Sequence, residues 1–247
     1  MRIKILSQNI ILILVVSLLS SCAINDKQQL NKFLESGKNA FNDLSKKPLT
    51  EKDIAAGLKE ALRVGTERVV SRVGKNNGYL NDKMIHIALP KNLQKVHNTL
   101  EKVGLGKYTS ELEVKMNHAA EVAATKAKQL FWNAIQDMSW QDVKAIYNGK
   151  PNAATVYFRT KMNPALRKMM RPVITNALAD VGAVIAYKKA VTKYHQIPFV
   201  PRVKDDLTGY VMDKGIHGMF YYLEKEEAAI RQDPVKRTTA LLKKVFG

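Results

Sequence analysis

The run Ser110-Glu111-Leu112-Glu113-Val114-Lys115-Met116-Asn117-His118-Ala119-Ala120-Glu121-Val122-Ala123-Ala124-Thr125-Lys126-Ala127-Lys128-Gln129-Leu130-Phe131-Trp132-Asn133-Ala134-Ile135-Gln136-Asp137-Met138 contains neither glycine nor proline. Leu112, Met116, Ala119, Ala123, Ala127, Leu130 and Ala134 recur three or four positions apart, which places them on one face of a helix with ~3.6 residues per turn. The stretch therefore reads as one long helix over 110–138, with an apolar stripe that needs partner helices.

Partners are found on both sides. Towards the N-terminus, Pro90 suits the first turn of a helix running to Gly104. Ile85 to Leu89 alternates as an extended run would, and Asn76-Asn77-Gly78 reads as a turn. Before it, Thr50 can cap a helix whose first turn carries Glu51 and Asp53, whose stripe is Ile54, Leu58, Leu62, Val69 and Val73, and whose end is Gly74. Towards the C-terminus, Ser139 with Asp142 looks like a capped start ended by Asn148-Gly149. Asn152, Asn163-Pro164 and Asp233-Pro234 look like further helix openings. His195 to Lys204 reads as the longest irregular connection, because Pro198 and Pro201 exclude regular helix. Nowhere is there a β-branched alternation long enough for a sheet. The expectation is an all-α fold, a single multi-helix domain of about seven to nine helices over 50–247.

Residues 1–21 have a different character. Arg2 and Lys4 precede an apolar run from Ile10 to Leu19, broken only by Ser17 and too short to cross a hydrocarbon core of ~30 Å as a helix. Leu19-Ser20-Ser21-Cys22 then resembles the lipobox of bacterial lipoproteins. That resemblance implies a signal peptide over 1–21, lipid attachment at Cys22, and a lipidated tether over 22–49; a plain signal or an uncleaved anchor is the other reading. Several acyl chains would anchor the protein to the membrane stably. Ala23, where an Asp would favour the inner membrane, points by the same resemblance to the periplasmic face of the outer membrane. In the tether, Leu30, Phe33, Leu34, Phe41 and Leu44 have helical spacing, so part of it either lies along a surface or stays solvated.

Charge narrows the partner class. Without Arg2 and Lys4 the mature chain keeps 38 basic and 22 acidic residues, a formal +16. Between Val143 and Lys204 there are 12 basic residues (Lys144, Lys150, Arg159, Lys161, Arg167, Lys168, Arg171, Lys188, Lys189, Lys193, Arg202 and Lys204) and one acid, Asp180. Tyr147, Tyr157, Phe158, Tyr187 and Tyr194 are interleaved with them. In the cytosol such a pattern would suggest nucleic acid; the export signal argues against that partner. On the envelope side, the polyanions are lipid headgroups, lipopolysaccharide and acidic polymers. The expected binding residues are Lys144, Arg159, Lys161, Arg167, Lys168, Arg171, Lys188 and Lys189, with an anionic lipid, lipopolysaccharide or an envelope protein as partner. The alternative is a basic but merely solvated face.

Leu207 to Leu223 spreads apolar residues almost around the helix, as a buried central helix would. Asp213, His217 and Glu224 fall within about 40° of one another at 100° per residue. That thin stripe is either an exposed edge or, with Asp213, His217 and Phe220, the lining of a pocket for a lipid or other apolar molecule. His118 and Glu121, joined to Asp213 and His217, would supply four metal-ligating atoms. The Glu-x-x-His order of bundle metal sites is reversed here and occurs once, so no metal is expected. There is no G-x-S-x-G and no H-E-x-x-H, and Gly104-Leu105-Gly106-Lys107 fails the phosphate-loop spacing. No catalytic residue and no cofactor are expected. Trp132, Trp140 and Phe131 read as core residues.

The closing run Asp233-Pro234-Val235-Lys236-Arg237-Thr238-Thr239-Ala240-Leu241-Leu242-Lys243-Lys244-Val245-Phe246-Gly247 strongly resembles the end of the domain-of-unknown-function 4197 family of bacterial proteins. Gly57-Leu58-Lys59-Glu60-Ala61-Leu62, Gly78-Tyr79-Leu80-Asn81, Ile87-Ala88-Leu89-Pro90 and Tyr157-Phe158-Arg159 resemble the same family in the same order. The resemblance implies an all-helical envelope protein, often a lipoprotein, without an established activity. In the closing run itself, Asp233 would cap, Pro234 would start, and Val235, Leu241, Leu242, Val245 and Phe246 would dock a final amphipathic helix.

Overall fold

A computed structural model describes residues 49–246, so Cys22, the signal and the tether lie outside the described residues. Nine α-helices follow: α1 (Glu51–Val73), α2 (Lys91–Lys102), α3 (Lys107–Gln136), α4 (Trp140–Tyr147), α5 (Ala153–Tyr157), α6 (Asn163–Asp180), α7 (Ala183–His195), α8 (Leu207–Gln232) and α9 (Ala240–Phe246). A π-helical turn, Phe158–Met162, joins α5 to α6, and a 3₁₀ turn, Pro234–Lys236, follows α8. Among the described residues no strand forms, so the all-α expectation holds. Residues 49–247 form one compact unit, and nearly all of its buried apolar side chains belong to one cluster.

The long helix lies at the centre, against α1, α2, α6, α7 and α8. Its alanines at 119, 120, 123, 124 and 127 are buried, and side chains that small let neighbouring helices approach closely. It begins at Lys107 rather than Ser110, because the Gly106 carbonyl already accepts the Thr109 and Ser110 amides, both at 3.1 Å. Towards its C-terminal end Phe131, not Leu130, takes the core position. Phe131 meets Phe158 and Phe220 edge-on, each at 6.2 Å between centroids. α8 is the buried helix expected over 207–223, and it continues to Gln232.

Two starts follow the sequence closely. Thr50 Oγ1 accepts the Asp53 amide at 3.1 Å while the Asp53 carboxylate accepts the Thr50 amide at 3.1 Å, and Ser139 with Asp142 repeats the arrangement at α4. The Thr50 backbone bond first, then the Thr50 hydroxyl and Lys244, hold the Asp53 pKa down at about 2.

Other expectations are corrected. The longest irregular segment among the described residues is 74–90, not His195 to Lys204. Asn152 does not cap α5: its side-chain Nδ2 donates to Glu224 at 2.8 Å, and buried Glu227 of α8 receives the Ala154 and Thr155 backbone amides instead, both at 2.9 Å. α6 begins at Asn163-Pro164, but Asn163 is not an extended cap, since its φ is −55° and its ψ is −44°. The chain arrives there already coiled, and the widened π turn accommodates a proline that lacks an N–H. Asp233 and Pro234 begin only the 3₁₀ turn, leaving Val235 82% exposed. The final helix starts afresh at Thr239, whose hydroxyl accepts the Leu242 amide at 3.1 Å.

α9 docks by burying Leu242 and Val245 against α1. A Cβ at Gly57 would lie 2.4 Å from Val245 Cγ2, whereas one at Gly65 would meet nothing closer than 3.8 Å. Alanine is the better helix former by about 0.5–1 kcal/mol, so the two sites separate propensity from contact. Gly57→Ala is expected to destabilise by about 1–3 kcal/mol through overpacking, and Gly65→Ala to stabilise by about 0.5–1 kcal/mol. Urea denaturation of the two variants measures this; effects of the same sign would contradict the close contact.

Candidate functional site

Three α3 residues one turn apart, Glu113, Asn117 and Glu121, face the irregular segment 74–90. Backbone amides taken from water must find acceptors, and this row supplies them. Glu121 is 4% exposed. One of its oxygens accepts the Tyr79 and Leu80 amides at 3.0 and 3.2 Å, and the other accepts the Asn77 amide at 3.1 Å. His118 Nδ1 lies 2.8 Å from the same carboxylate. Asn117 accepts the Ile87 amide at 2.8 Å and donates to the Ile87 carbonyl at 2.9 Å. Glu113 accepts the Leu89 amide at 3.1 Å and bonds His86 at 2.9 Å. Tyr79 is thereby driven between α3 and α8, where its hydroxyl donates to the Gly215 carbonyl at 2.7 Å and burial pushes the phenol pKa up. Glu121 is thus committed to holding backbone, and His118 to Glu121.

Asp213 and His217 are not beside them. Both are exposed on α8, Asp213 pairs with Arg167, and no group of three or more His, Cys, Asp or Glu able to hold a metal occurs among the described residues. Phe220 is within about 60° of both on the helical wheel, but its ring turns inward, 2% exposed and edge-on to Phe131 in the core. The structure therefore does not gather Asp213, His217 and Phe220 around a cavity; the polar stripe is the helix's outer edge. A groove of about 300 Å³ lies instead between α1 and α3, lined by Arg63, Thr66, Glu67, Lys128, Gln129, Trp132 and Ile135. Trp132 is thus a half-buried wall rather than a core residue.

The eight expected binding residues divide evenly. Arg159 faces Glu224 at 3.8 Å, Lys161 faces Asp142 at 3.4 Å, Arg167 pairs with Asp213, and Arg171 faces Asp206 at 3.8 Å. Lys144, Lys168, Lys188 and Lys189 are exposed and have no acid within 4.0 Å among the described residues. Two of these four are adjacent on the outer face of α7. With Tyr108, Thr192 and Lys193 they border an open groove of about 430 Å³ whose apolar wall includes Ile185, which is 60% exposed. α6 and α7 meet at 68° through Gly182, whose φ is 74°. No single helix among the described residues is long and apolar enough to cross a membrane.

A family model described as Protein of unknown function (DUF4197) matches residues 48–247. The chain belongs to the DUF4197 family. No curated protein and no solved structure matches it. In this DUF4197 protein the stretches that carry the resemblance are points where chain segments are fastened together. Gly57 admits α9, Tyr79 and Leu80 sit on Glu121, Ile87 sits on Asn117, and Phe158 fills the aromatic cluster. Glu121→Ala is expected to cost about 3 kcal/mol or more, since each buried amide left without an acceptor costs roughly 1–3 kcal/mol. Hydrogen exchange checks it: the Asn77, Tyr79 and Leu80 amides should lose protection first, and unchanged rates would contradict the role given to this carboxylate.

Proposed function

We propose that this DUF4197 protein is a non-enzymatic lipoprotein of the bacterial cell envelope, tethered through Cys22 on the periplasmic face of the outer membrane, and that the outer face of α7 docks it on an anionic envelope surface. The observation that carries the reading is the pair Lys188 and Lys189, exposed and without acidic partners beside the open apolar wall of Ile185. Cations next to exposed apolar surface suit an interface that is anionic outside and apolar within. The four ion-paired cations of the same segment are already partly neutralised, so they contribute position more than attraction. The lipobox-like Leu19-Ser20-Ser21-Cys22 supports the tether, and export removes nucleic acid as a partner.

Two experiments test the two halves. Labelling the full-length protein in a bacterial host with an alkyne fatty acid should mark it, and Cys22→Ser should abolish the mark; retention of label by the variant would overturn the tether. For docking, residues 49–247 should co-sediment with phosphatidylcholine vesicles containing phosphatidylglycerol, in a salt-sensitive manner, and not with phosphatidylcholine alone. Lys188→Gln with Lys189→Gln should weaken that binding about 30-fold, at ~1 kcal/mol for each cation near the surface. Equal binding to neutral and anionic vesicles at low salt would contradict the reading.

A further inference from the structure

Beyond the end of α7 the chain runs without helix from Gln196 to Asp206, yet the run is fastened. Ile197, Val200 and Val203 pack against the core. The Asp205 amide donates to the Tyr187 hydroxyl at 3.2 Å, and Asn92 of α2 donates to the Asp205 carboxylate at 3.1 Å. Pro198 and Pro201 restrict the backbone between these ties.

One residue departs from this inward packing. Phe199 is fully exposed, and its φ is 61°, a left-handed conformation that bulky side chains rarely adopt. An aromatic ring in water and a left-handed backbone are both unfavourable, and here they coincide at a loop tip whose neighbours are pinned. A single exposed apolar residue is ordinary; it is the left-handed backbone coinciding with it, in a loop fixed on both sides, that makes Phe199 a candidate for contact with something outside the chain. The surroundings indicate what. Arg202 and Lys204 follow the tip, and neither has an acid within 4.0 Å among the described residues. Lys188 and Lys189 stand on the outer face of the preceding helix, with exposed Ile185 one turn before them.

We infer that Phe199 is a membrane-inserting residue: the pinned loop 196–206 places its ring below the headgroups of an anionic bilayer while the cations around it engage lipid phosphates. Aromatic rings favour that depth, and apolar insertion combines with charge attraction in interfacial binding. The inference rests on the docking reading above and names the element that enters the lipid.

The test uses the absence of cysteine from residues 49–247. Phe199→Cys carries a single environment-sensitive fluorophore, with Ser71→Cys, exposed on α1, as a control, and both are mixed with phosphatidylcholine–phosphatidylglycerol vesicles carrying nitroxide lipids. The probe at 199 should brighten and be quenched by the nitroxide, and the probe at 71 should do neither. Phe199→Gly, which relieves the left-handed backbone, should leave the melting temperature unchanged or higher while weakening vesicle binding about tenfold, the loss that corresponds to withdrawing one partly buried aromatic ring. Vesicle binding with an unquenched probe at 199 and full affinity in Phe199→Gly would overturn the insertion but leave docking standing, and would point to a protein pocket as the ring's partner. Failure to bind anionic vesicles at all would overturn both.

Discussion

A carboxylate that accepts three backbone amides organises this molecule. Glu121, with Asn117 and Glu113 at one-turn intervals along α3, supplies the partners that the non-helical segment 74–90 lacks within itself. Without acceptors those amides could not leave water. With them, Tyr79 enters the gap between α3 and α8, and Ile85, Ile87 and Leu89 alternate into the core. The segment then delivers Pro90 to the start of α2. α2 packs against α7, and Asn92 ties Asp205 in the loop after it. The geometry of the basic face and of the Phe199 tip thus depends on an interaction on the far side of the central helix. Glu227 plays the same part for the start of α5, with Arg231 at 3.1 Å supplying the opposite charge.

The electrostatics of the basic segment depend on tertiary placement. Exposed ion pairs such as Lys161 with Asp142 or Arg171 with Asp206 contribute ~0–1 kcal/mol each, so they add little to stability. Their consequence is local: they cancel charge where acids from α4 and α8 come near, and leave it uncancelled on the outside of α7. The surplus seen along the sequence thus becomes a smaller patch in space, joined to exposed apolar residues.

Helices were legible wherever periodicity and caps agreed. The stripe of 110–138, the Thr50 and Ser139 capping boxes and the apolar surround of 207–223 all led to the observed elements, because each depends on neighbours in sequence. Asp233-Pro234 misled because a proline after a capping residue looks the same whether it opens an α-helix or makes a single 3₁₀ turn, whereas Asn163-Pro164 does begin α6, from backbone that is already helical. Glu121 resembled a metal ligand because a buried carboxylate near a histidine serves both purposes, and its amide partners lie 41 to 44 residues away. Arg167 meets Asp213 across 46 residues, a pairing that charge runs do not reveal. Phe199 was hidden for the opposite reason: a phenylalanine in a proline-rich loop reads as packed until the loop's other apolar residues are seen to fill the core.

The central claim is that the outer face of α7 and the loop after it form the surface that meets an anionic bilayer. Hydrogen–deuterium exchange of residues 49–247, read by mass spectrometry with and without phosphatidylglycerol-containing vesicles, tests it most directly. The account predicts slowed exchange confined to 183–206, with α1 and the segment 74–90 unchanged. Slowing centred elsewhere, such as along the α1–α3 groove, or no slowing at all, would contradict it.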